Sequence, residues 1–98
     1  MLPFKLSHYG AEELFSYCRN KNQFDVVMIE NGEKGFFVRM NKKNWFNKFF
    51  NLSKLFIVEK DDKNEFYFHP NTNLIYELKI RGLIELMKVI ENCLEEER

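Results

Sequence analysis

The sequence predicts an α+β domain in the order α-β-β-α-β-β-β-α, a five-stranded antiparallel sheet covered by three helices. Three observations carry this. Short apolar runs bounded by turn residues alternate with stretches of helical spacing. Asn31-Gly32 joins two of those runs, and this dipeptide is the strongest short hairpin signal because both residues accept positive φ. The last three runs follow one another through short polar turns, which suit antiparallel neighbours.

The first element is a helix over Tyr9–Asn20. Ala11, Leu14, Phe15 and Cys18 recur at helical spacing, and Arg19 and Lys21 sit near the end that favours cations. "FDVVMIE", Phe24–Glu30, is a strand, and "GFFVRM", Gly35–Met40, returns beside it. A strict two-residue loop would set Glu30 against Glu33. A register one residue longer sets Glu30 against Lys34 and Asp25 against Arg39, and is preferred.

"NKKNWFNKFFNLSKLF" follows. Trp45, Phe46, Phe49, Phe50 and Leu52 fall on one helical stripe, with Asn41 placed to cap its start. Lys42, Lys43 and Lys48 fall mainly on the other side. "LFIVEK", Leu55–Lys60, is the third strand. It is apolar on both faces, so at a sheet edge it would need a cover or a pairing strand. "EFYFH" is the fourth strand, ended by Pro70. "LIYELKI", Leu74–Ile80, alternates and reads as the fifth, with Leu74, Tyr76, Leu78 and Ile80 inward. A last helix runs over Leu83–Leu94, with Leu83, Leu86, Met87, Ile90 and Leu94 on one face.

This order of elements is similar to that of the profilin-like group, which includes roadblock and longin domains. The resemblance lies in the order alone, and it implies a fold rather than an activity.

The 98 residues suit one domain over positions 1–98, and 45% hydrophobic content with 11 Phe supplies a core. Formal net charge is zero, so no global field draws the chain to nucleic acid or acidic lipid. Charge is uneven, however. Positions 34–58 hold basic residues and no acid, and the last sixteen positions are rich in Glu. No run is long or apolar enough for a membrane span, and the N-terminus lacks a signal-peptide pattern. Cys18 and Cys93 are too few for a disulfide framework and are expected as buried thiols in a cytoplasmic setting.

No metal-ligand spacing, Gly-rich phosphate loop or nucleophile elbow is present, so no catalytic residue, metal or cofactor is assigned. The expected function is a small non-enzymatic protein–protein interaction domain: a homodimerising subunit, inhibitor, antitoxin or immunity-type protein. Trp45, Phe46, Phe49, Phe50 and Phe56 are the expected partner-binding residues. They span too broad an arc for one sheet face, and aromatics rimmed by charge are the usual anatomy of an interface. The alternative is nucleic-acid binding through segment 34–58, using Lys42, Lys43, Lys48 and Lys54. It is disfavoured because base stacking and phosphate pairing need aromatics and lysines on one face. A second alternative is a metal-dependent nuclease. Glu77-Leu78-Lys79 on a strand resembles the E-x-K element of the PD-(D/E)xK nucleases, although Asn71 stands where that family has an Asp.

Overall fold

The structure, a computed structural model, describes residues 4–41 and 54–94. Nine elements appear among them: β1 (Phe4–Leu6), α1 (His8–Arg19), β2 (Phe24–Met28), a 3-10 turn (Glu30–Gly32), β3 (Gly35–Met40), β4 (Lys54–Lys60), β5 (Phe66–Pro70), α2 (Leu74–Ile80) and α3 (Ile84–Cys93). The five strands form one antiparallel sheet in the order β1-β5-β4-β3-β2. The fold class is α+β, with three α-helices among the described residues.

Alternation along the strands puts Phe24, Phe36, Val38, Phe56, Val58 and Phe68 on one face of the sheet, all buried. The helices contribute Leu14, Leu78, Leu86 and Ile90 to the same cluster. The described residues therefore form a two-layer sandwich, helices on one side and sheet on the other. Among the described residues no helix is long and apolar enough to cross a membrane.

The first helix forms for local reasons. Ser7 caps it, its Oγ accepting the Gly10 N–H at 2.8 Å. Gly10, Ala11, Leu14 and Cys18 make its buried stripe. Gly10 faces the end of α3 so closely that a Cβ there would lie 2.5 Å from the Cys93 carbonyl oxygen. The two helices thus meet backbone to backbone.

The hairpin has the longer of the two registers. Asp25 pairs with Arg39 and Met28 with Phe36, and Asn31 takes φ +57° in the connecting turn. A one-residue slip would have turned every β2 side chain to the other face.

Segment 74–80 is a helix, not a strand. Leu74 and Leu78 are buried, whereas Tyr76 and Ile80, expected inward, are 64% and 58% exposed. Glu77 and Arg81, one turn apart, close the helix with an ion pair at 2.8 Å. The fifth strand is β1 instead, paired with β5 as Phe4 with Phe68 and Leu6 with Phe66. The helix expected after Met40 lies outside the described residues.

Both cysteines are free and buried, Cys18 on α1 and Cys93 on α3. Burial, with Cys93 nearby, pushes the Cys18 thiol up to about 12. Burial, with Glu13 adding to it, pushes Cys93 up to about 11. Native protein near pH 8 should therefore resist a thiol reagent, and both thiols should label at once on unfolding. The same shifts set an alkaline limit. The folded thiols keep protons that the unfolded chain releases above its ordinary 9.0, so unfolding releases protons there. Stability should be complete below about pH 9 and fall as pH rises towards 11–12, by on the order of a few kcal/mol. Denaturant midpoints measured across that range, against a Cys18→Ala variant, would check it. A flat profile in the parent protein would refute it.

Candidate functional site

A sheet of this order has two edges, and they differ. The β1 edge is only three residues long, and Leu6 forms a bridge with Leu94 beyond α3. Shortness and a cover are the usual protections of an edge. The β2 edge is longer, five residues, and among the described residues no strand pairs with its outer side.

The backbone groups on that side can be assigned. Ile29 N–H donates to Gly35 O at 3.0 Å and Asn41 N–H to Gln23 O at 2.7 Å. Residues 23, 25, 27 and 29 thus face β3. Antiparallel alternation then turns the N–H and C=O of Val26 and Met28 outward, together with the C=O of Phe24. The Phe24 N–H is taken by the Lys21 carbonyl at 3.2 Å. Around these groups the strand is mostly apolar. Met28 is 47% exposed, and a groove of about 450 Å³ runs along the edge between Phe15, Arg19, Val26 and Met28. The strand has no Lys, Pro or bulge to deter pairing.

The sheet face turned away from the helices is mixed. Val27, Phe37, Ile57 and His69 form one row across four strands. Lys54 Nζ lies 4.5 Å from the Phe37 ring centroid, so here an aromatic and a cation do share a face. The neighbouring cations are already matched. Arg39 Nε sits 3.6 Å from Asp25 Oδ2, His69 Nε2 3.3 Å from Glu59 Oε1, and Lys5 Nζ 3.6 Å from Glu65 Oε1. Asn41 Nδ2 adds a 2.9 Å hydrogen bond to Asp25. Among the described residues, the positive charge of this face is thus largely matched by carboxylates.

A second apolar feature lies at α2. Ile75, Tyr76, Ile80 and the adjacent Ile84 are about half exposed or more. Beside them a cavity of about 240 Å³ opens between Phe4, Phe68, Leu78, Met87 and Leu94. Its lining is almost wholly apolar, with Asn71, Thr72 and Glu91 also lining it.

The expected site residues divide as follows. Trp45, Phe46, Phe49, Phe50, Lys42, Lys43 and Lys48 lie outside the described residues. Phe56 is corrected: it is 1% exposed, its ring 5.0 Å from that of Phe68 in the core, and it cannot reach a partner. Lys54 is exposed on the open sheet face. The nuclease geometry fails because Glu77 and Lys79 stand on a helix, where residues two apart do not share a face, and Glu77 is bound to Arg81. Among the described residues no three His, Cys, Asp or Glu side chains converge on one point. What residue patterns missed is the β2 edge. Its signal, a mostly apolar strand whose one charge, Asp25, pairs with Arg39 on the next strand, becomes informative only once strand order is known.

Fold and site together define an open-edged α+β sandwich. No family model, no curated protein and no solved structure matches this chain.

Proposed function

We propose that this chain is a non-enzymatic protein–protein interaction domain that takes its partner by strand addition at the β2 edge. The observation that carries the reading is the row of outward backbone groups on Val26 and Met28, set in a mostly apolar edge that no strand among the described residues pairs with. An extended segment laid there gains main-chain hydrogen bonds, and the groove beside α1 receives alternate side chains. The exposed apolar surface of α2 is consistent with an interaction role but prescribes no geometry.

Proline separates this reading from a merely exposed edge. The Val26 N–H makes no bond within the sheet, so Val26→Pro removes an outward donor while the β2–β3 ladder stays intact. Proteins retained by the tagged parent chain in its source cell, a second copy included, should be lost by Val26→Pro. The Val26 and Met28 amides should be protected from hydrogen exchange in the retained complex. Retention unchanged by Val26→Pro, with those amides still exchanging freely, would overturn the proposal.

A further inference from the structure

We infer that the strand added at β2 is the β2 strand of a second copy, antiparallel about a two-fold axis at Val26. This rests on the strand-addition reading and names its partner. Three features carry it.

The first is self-complementarity. β2 runs from Phe24 to Met28, so Val26 is its midpoint. An axis there overlaps the whole strand with its copy, pairing Val26 with Val26 and Phe24 with Met28. The outward Val26 N–H of each copy then donates to the Val26 carbonyl of the other. Each Met28 N–H donates to the Phe24 carbonyl opposite. The Phe24 N–H is held by Lys21, so the pair is joined by this one bond and the Met28 carbonyl keeps water as its partner. On the helix side, the half-exposed Met28 of each copy would be covered at the seam, beside the already buried Phe24. On the other side, Asp25 stands opposite Val27, and the two Asp25 carboxylates lie diagonally across the axis, each beside the Arg39 of its own copy.

The second is charge. The turn beyond Met28 carries Glu30 and Glu33, with the adjoining Lys34 held by Asp62, and the corner before Phe24 carries Arg19 and Lys21, the latter 3.4 Å from Glu85. Antiparallel pairing sets the acidic turn of each copy beside the basic corner of the other, at both ends of the seam. A parallel arrangement would set like beside like.

The third is closure. The β1 edge is short and bridged by Leu94, so among the described residues each copy offers one usable edge, β2. Pairing through it consumes both open edges and joins two five-stranded sheets into a closed dimer rather than a fibre.

The test is a charge swap read by analytical ultracentrifugation across a concentration series. The parent protein should sediment as a dimer. One variant carries Glu30→Lys with Glu33→Lys, and the other Arg19→Glu with Lys21→Glu. Each alone sets like charges across both ends of the seam and should shift to monomer. Their equimolar mixture restores opposite charges at both ends and should sediment as a dimer again. Without any variant, the Val26 and Met28 amides of the parent protein should exchange ~10-fold more slowly or better as concentration takes it from monomer to dimer. A parent protein that stays monomeric at every concentration overturns the inference, as does a dimer indifferent to the swaps whose Val26 and Met28 amides stay unprotected. Protection of those amides by some other retained protein, with no dimer, sinks this inference and leaves strand addition standing. Failure of both sinks the two together.

Discussion

Gly35→Ala is expected to destabilise the domain by roughly 3–5 kcal/mol. Gly35 opens β3 at φ +109°, a conformation that an L side chain rarely adopts. It also lies against β4, where an added Cβ would collide with the Val58 carbonyl oxygen and crowd the Glu59 Cα. Those atoms belong to the middle of the sheet, in register with Gly35 through Glu59, so they cannot move aside without breaking the β3–β4 ladder. Strain and clash therefore add. Domains of this size have about 5–15 kcal/mol of stability in all, so the variant should melt some 15–30 °C lower or fail to fold. Thermal and urea unfolding would measure it, with Gly82→Ala as a comparison. That glycine also has positive φ, +68°, but has nothing within 4 Å of the added Cβ. It should lose only the conformational part, about 1 kcal/mol. Equal losses at the two positions would show that the β3–β4 contact is looser than described.

Phe56→Ala should cost about 3–5 kcal/mol through lost burial and the cavity left behind. Phe56 is 1% exposed, packs on Phe68 and pairs across β4 with Val38 and Pro70. The urea midpoint should fall with the slope unchanged. Self-association, corrected for the folded fraction, should not change, because the ring faces the helices and not a partner. The opposite result, normal stability with weakened association, would return Phe56 to an interface and reverse the assignment of its face.

Much of the local structure was legible along the chain. The stripe Ala11, Leu14, Cys18 marks α1, and Leu86 with Ile90 marks α3, because a helix of several turns repeats its signal. The Asp25–Arg39 register followed from charge opposition and the Asn-Gly turn. Both cysteines fell on buried helix faces as expected. The reading failed where the signal was short. Leu74 and Leu78 are four apart, which satisfies two strand alternations and one helical turn equally well, so the pattern of 74–80 fitted both. β1 is three residues long and offers no period at all.

The sequence by itself determined the α+β class, the main helix faces and the hairpin register, because each is set by neighbours within a few residues. Strand order was decided only by the tertiary structure. β4, apolar on both faces and expected to need a partner if it lay at an edge, lies instead between β3 and β5, while β2 became the open edge. Which strand is central depends on pairings between residues far apart in the chain. The candidate site is made of backbone groups left over when those pairings are complete. No side-chain pattern encodes such a remainder, and the edge appears only when the whole sheet is assembled.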